Sequence, residues 1–175
     1  MNKHQHHRRS AEDAAEWFAG RLPESWFTGD PTVVVDREEI TVIGRLPDPE
    51  ETETKARTSG RASRFREETR GERMRIADEA QGRFDRKVSW GVEIGTGDDV
   101  ERILFTHIAV PVMTRLKQPE RQVLDTLVDA GVARSRSDAL AWSVRLVGQH
   151  TEEWLDKLRE AMKAVDDLRA EGPGV

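Results

Sequence analysis

Cysteine and tyrosine are both missing from this chain of 175 residues, and only five histidines are present. Without thiols there is no disulfide, no Cys-ligated zinc site and no cysteine nucleophile. Without tyrosine a common general acid is lost. No apolar run approaches the roughly 18 residues of a membrane-spanning helix. The opening Met-Asn-Lys-His-Gln-His-His-Arg-Arg has no apolar core of the kind that marks a secretion signal. A soluble, cytoplasmic protein without a membrane partner is expected. Phosphate-loop, G-x-G-x-x-G, nucleophile-elbow and H-E-x-x-H patterns are absent as well. His4, His6 and His7 cluster without further ligands nearby, and His107 and His150 stand alone, so neither a metal, a cofactor nor an enzyme activity is expected.

What the chain does have is charge. Charged residues make up 35% and the hydrophobic set 36%, with a net charge of −5, which excludes indiscriminate attraction to nucleic acid by the protein as a whole. The distribution is uneven. Residues 57–87 carry ten Lys/Arg against six Asp/Glu, residues 111–150 six against four, and residues 151–175 four against seven. The length allows one domain or two small ones.

The fold class expected is α+β. Residues 1–9 read as a disordered lead. Ser10 and Asp13 form a capping box for a helix to about Ala19, anchored by Trp17 and Phe18. Trp26 and Phe27, in the Pro- and Gly-punctuated link that follows, read as core plugs. The β-branched runs Thr32–Val35 and Ile40–Ile43 flank Asp36-Arg37-Glu38-Glu39 as a hairpin. Residues 46–60, rich in Pro, Glu, Thr and Lys without an apolar period, read as a flexible loop. A long helix over about 61–84 follows, interrupted by Gly71. Val88, Trp90, Val92 and Ile94 then alternate as a half-buried strand, and Gly95–Asp99 turns into a second strand over Ile103–Val110. Residues 10–110 would thus form an α+β domain with two hairpins and a long helix. Its expected core is Val33, Val35, Ile40, Val42, Ile76, Phe84, Trp90, Val92 and Leu104.

Pro111 marks a boundary, because it cannot donate to a sheet ladder. Beyond it, Val112, Thr114 and Leu116 alternate with Met113, Arg115 and Lys117, as in a short strand. Pro119 suits the first turn of an amphipathic helix carrying Val123, Leu124, Leu127 and Val128. Gly131 supplies a stop. Ser135 and Asp138 make a capping box for a second helix carrying Leu140, Val144 and Val147. This order of strand, helix, Gly turn and Ser-capped helix over residues 111–150 resembles a ribbon-helix-helix module of the MetJ/Arc superfamily.

The resemblance implies a homodimer whose paired strands enter the DNA major groove as a ribbon. Carried over, Met113, Arg115 and Lys117 would face the bases, with Arg115 bidentate to guanine and Met113 on a thymine methyl. Arg134, Ser135, Arg136 and Ser137 would sit at the phosphates by the second helix's N-terminus. The expected function is therefore sequence-specific DNA binding in transcription regulation. Two alternatives stand beside it. One is a dimerisation and protein-interaction module, antitoxin-like, using an apolar stripe (Trp154, Leu155, Leu158, Met162, Val165, Leu168) in the helical extension 151–175, with a protein partner at 151–170. The other is RNA or ribosome association through the arginine-rich helix, where Arg61, Arg64, Arg70 and Arg73 offer a second nucleic-acid surface among interleaved glutamates.

Overall fold

The computed structural model of the chain describes residues 13–47, 54–95 and 100–171. It divides between Val110 and Pro111 into two compact units. The capping residue Ser10, the N-terminal histidines and most of the turn at 95–99 lie outside the described residues.

The first unit is α+β. Residues 13–21 are helical (α1), followed by strands β1 (Thr32–Val35) and β2 (Glu39–Arg45), helices α2 (Lys55–Glu68) and α3 (Arg70–Phe84), and strands β3 (Lys87–Ile94) and β4 (Glu101–Leu104). The four strands form one sheet in the order β1-β2-β3-β4. The expected first hairpin is present: β1 and β2 pair antiparallel with Val33 opposite Val42 and Val35 opposite Ile40. Asp36 sets its turn by accepting from the backbone N–H groups of Glu38 and Glu39 at 2.7 and 2.8 Å. The second hairpin, β3 with β4, is antiparallel too. Between them β2 and β3 lie parallel, Val42 beside Trp90, which requires the α2–α3 crossover.

The period-2 pattern of β2 and β3 places Ile40, Val42, Trp90, Val92 and Ile94 on one face, and all five are buried. Helices α1 and α3 cover one part of that face with Ala14, Phe18, Ile76 and Ala80. Ala62 of α2 and Leu46 cover the other part with Val92 and Ile94. Trp26 is buried at the seam, edge-on to Phe65 and Trp90. Val33, Val35 and Phe84, expected in the core, are partly buried around it. Arg21 ties α1 to α3 with two bonds to the Glu79 carboxylate, at 2.7 and 2.9 Å.

Three expectations are corrected. Residues 55–60, read as loop, are the first turns of α2. Thr54 caps that helix by accepting from the Arg57 N–H. Because α2 buries only Thr58 and Ala62, with Phe65 partly buried after them, its inner face is too small and polar to show a hydropathy period. The single long helix is two helices, and the break is at Thr69, not Gly71. There the Thr69 hydroxyl donates to the Phe65 carbonyl at 2.6 Å, competing with the helical ladder. The last strand ends at Leu104, and residues 106–117 are in no sheet. The Phe105 N–H makes a final bond to the Trp90 carbonyl at 2.8 Å, and its ring turns in toward Phe65. Beyond it Thr106 and His107 are exposed, and the apolar residues that follow pair with no strand among the described residues.

Glycine choices follow from this packing. A Cβ on Gly44 would meet the Phe27 ring at 2.2 Å, so the bare strand is what lets that ring lie flat on β2. Gly60, exposed inside α2, has open space where a Cβ would be. Gly44→Ala should therefore lower stability by about 1–3 kcal/mol through overpacking. Gly60→Ala should raise it by about 0.5–1 kcal/mol through helix propensity. Urea unfolding followed by tryptophan fluorescence reads both.

Candidate nucleic-acid interface

The second unit is built from α4 (Gln118–Asp129), α5 (Arg136–His150) and α6 (Glu152–Glu171). Lys117, extended at φ −78° and ψ 174°, leads into α4, and Pro119 occupies its first turn as the sequence indicated. The helix ends on Gly131 at φ 73°. The Val132 and Ala133 N–H groups then return to the Leu127 carbonyl at 3.0 and 3.2 Å, which reverses the chain.

The cap of α5 forms from the expected pair. Ser135 Oγ accepts from the Asp138 N–H at 3.2 Å, and the Asp138 carboxylate accepts from the Arg134 N–H at 3.0 Å. The carboxylate thus reaches back one residue beyond the cap. The cap leaves the first N–H groups of α5 pointing out of the helix end, the arrangement that suits an anion.

Leu124, Ala133 and Ala139 form a small buried core, with Leu116, Leu127, Val128 and Leu140 packed against it. Of the residues expected inward on the ribbon, only Leu116 is held. Val112 is 86% exposed, and Thr114 is exposed too. Residues 111–117 form no strand, because among the described residues no strand lies beside them to complete a ladder. Val123, Val144 and Val147, assigned to apolar helix faces, are also more than half exposed.

The expected base readers lie together on this segment. Met113 is 99% exposed, and Arg115 and Lys117 are exposed. The expected phosphate contacts differ among themselves. The Arg134 side chain is 97% exposed, with Asp138 only at 3.9 Å, and Ser137 is exposed. Arg136 instead turns back to α4, where its guanidinium grips Asp125 through two bonds of 2.6 and 2.8 Å. It thereby clasps α4 to α5, while its side chain stays 60% exposed. The hydrogen bond from Arg136 holds the Asp125 carboxyl below its ordinary range and raises the guanidinium in turn. A carboxyl lowered in the folded state stabilises above its unfolded pKa and loses that contribution as pH falls through the folded value. Asp125 should accordingly titrate below the usual carboxylate range by NMR, and Arg136→Ala should return it there.

The second nucleic-acid surface is divided. Arg64 and Arg70 are exposed, while Arg61 donates to the Pro47 carbonyl. Arg73 is corrected outright, being only 7% exposed. It donates from Nε to Thr69 Oγ1 at 2.9 Å and from Nη2 to the Arg66 carbonyl at 2.6 Å. Its guanidinium lies 5.1 Å from the Phe105 ring centre and 6.0 Å from that of Trp90. Burial, with Arg66 and Arg70 nearby, pulls its pKa below the usual arginine value. Sequence reasoning missed this role because an arginine four residues after a threonine looks the same on a solvated helix. Among the described residues, no His, Asp and Glu group could hold a metal ion, and no helix is long and apolar enough to cross a membrane.

Residues 12–100 match the family model of the Rv1265-like protein N-terminal domain, and residues 117–169 that of the Mb1296 C-terminal domain. The chain belongs to the Rv1265-like family. It is 80% identical over 165 residues to Mb1296 of Mycobacterium bovis, and to MT1303 and Rv1265 of Mycobacterium tuberculosis, covering 93% of this chain and 71% of each relative. These names state no activity. No solved structure matches the chain. The two family models leave residues 101–116 between them.

Proposed function

We propose that the second unit binds DNA sequence-specifically as a homodimer, through a ribbon formed by residues 111–117 of two copies. The observation that carries the reading is the unpaired segment itself. It presents Met113, Arg115 and Lys117 to solvent and is anchored through Leu116 to a capped two-helix unit. A second copy would supply the missing ladder, cover Val112 and give the readers a fixed spacing. The N-terminus of α5, beside the solvent-exposed Arg134, would take a backbone phosphate. Regulation of transcription follows from that reading.

Sedimentation with a random-sequence duplex pool at several salt concentrations tests it. A dimer selecting a short, two-fold symmetric site, with affinity falling steeply in salt, is the expected result. A dimer indifferent to every duplex would overturn DNA recognition and leave the ribbon a clasp. Binding to structured RNA that Arg64 and Arg70 charge reversal abolishes would move the function to the first unit.

A further inference from the structure

We infer that α6 pairs in parallel with α6 of a second copy, extending the dimer beyond the ribbon. Leu155, Leu158, Met162 and Val165 recur at intervals of three, four and three, the a and d seam of a two-stranded coiled coil. Trp154 and Leu168 flank that seam. Within the single chain it has almost no cover. Leu155 is partly buried, whereas Trp154, Leu158, Met162, Val165 and Leu168 are 41% to 66% exposed. The charged side of the helix is satisfied within itself, through Lys157 with Glu153 and Arg159 with Asp156. The helix therefore needs a partner on its apolar side only.

The same naked stripe continues back through the kink at Thr151. There the Thr151 N–H and hydroxyl both donate to the Val147 carbonyl, at 2.9 and 2.6 Å, and Val144 and Val147 of α5 are exposed too. These exposed side chains recur along both helices, the arrangement that marks an interaction surface. Two heptads do not hold two free chains together. The inference rests on the ribbon dimer in this respect: once the ribbons pair, α6 meets its copy at an effective concentration of roughly millimolar.

Direction follows from charge. An antiparallel pair that matches Leu155 with Val165 and Leu158 with Met162 brings the two Arg159 side chains together. A parallel pair sets each Arg159 beside Trp154 of the partner subunit, a cation over a ring instead of a like charge. Parallel pairing puts Met162 against Met162 and leaves Glu160 on the outside.

The absence of native cysteine makes the test clean. Full-length chains carrying Met162→Cys or Glu160→Cys are oxidised mildly and run without reductant. Most of the Met162→Cys chain should become covalent dimer, since facing seam residues meet disulfide geometry, while Glu160→Cys stays monomeric on the gel. Equal linking at both positions would overturn the inference. So would no link at 162 in a chain that still sediments as a dimer, an outcome that leaves the ribbon reading standing. A mixture of Leu158→Cys and Met162→Cys chains that linked only to each other would overturn the parallel direction. A linked Met162→Cys dimer that ignored every duplex would overturn DNA recognition while the α6 pair stood.

Discussion

Arg73→Ala should cost the first unit about 3 kcal/mol, read as a lowered urea midpoint with an unchanged slope. Among the described residues no carboxylate pairs with the buried guanidinium, and its charge is met by the Arg66 carbonyl, the Thr69 hydroxyl and the faces of Phe105 and Trp90. Hydrogen bonds from a charged donor contribute about 1.5–3 kcal/mol each, and a desolvated cation over a ring about 2 kcal/mol. Against this stand the burial of the charge and the repulsion from Arg66 and Arg70, which the lowered pKa registers. Truncation removes that penalty, but it also leaves the Arg66 carbonyl at the end of α2 without its donor and opens a void between α3 and Phe105. Arg73→Lys separates the contributions. It keeps the charge but cannot reach Thr69 and Arg66 while lying flat on the rings, so it should lose most of what alanine loses. If lysine were neutral, the fork geometry would not matter and a point charge would suffice.

Legibility in the sequence followed the strength of the physical signal. The β1–β2 hairpin and β3 were readable because apolar residues recur at every second position toward the helix-covered face, as Ile40 and Val42 do beside Trp90 and Val92. The α5 cap was readable because Ser135 and Asp138 act within one helical turn. Helix α2 was not, since Thr58 and Ala62 pack by being small and carry no hydropathy signal. The break at Thr69 was hidden for a different reason. It depends on a hydroxyl four residues from each of its partners, Phe65 and Arg73, a spacing that ordinary helix also shows. At the candidate interface alternation did not decide exposure, since Val112 and Thr114 are exposed along with Met113, Arg115 and Lys117, and the pairing of Arg136 required Asp125, eleven residues earlier, to face it. The alternation in β2 and β3 and the cap of α5 carried over, while the polar pairings of Thr69 and Arg136 and the lack of a strand over 111–117 did not show in the pattern.

Arg115→Ala should reduce affinity for the selected duplex by about 1–3 kcal/mol per half-site, hence roughly 30-fold to 10⁴-fold for a dimer reading two. The size of the effect follows from geometry: a guanidinium bonds both guanine acceptors in the groove, and its loss leaves both without a protein donor. Affinity for random duplex should fall far less, so the ratio of specific to non-specific binding collapses. Arg134→Ala should behave differently. Its side chain is 97% exposed beside the N-terminus of α5, where the proposed reading has it meet a phosphate. Its loss should weaken all duplexes alike and flatten the dependence of log affinity on log salt by about one per site. Fluorescence anisotropy titrations of both variants on selected and scrambled duplexes, across salt, separate the two roles. If Arg115→Ala weakened both duplexes equally, Arg115 would be a phosphate contact and base recognition would pass to Met113 and Lys117. If neither variant changed binding, residues 111–117 would not lie in the groove, and Lys117, at the foot of α4, would serve only to carry the chain into the helix.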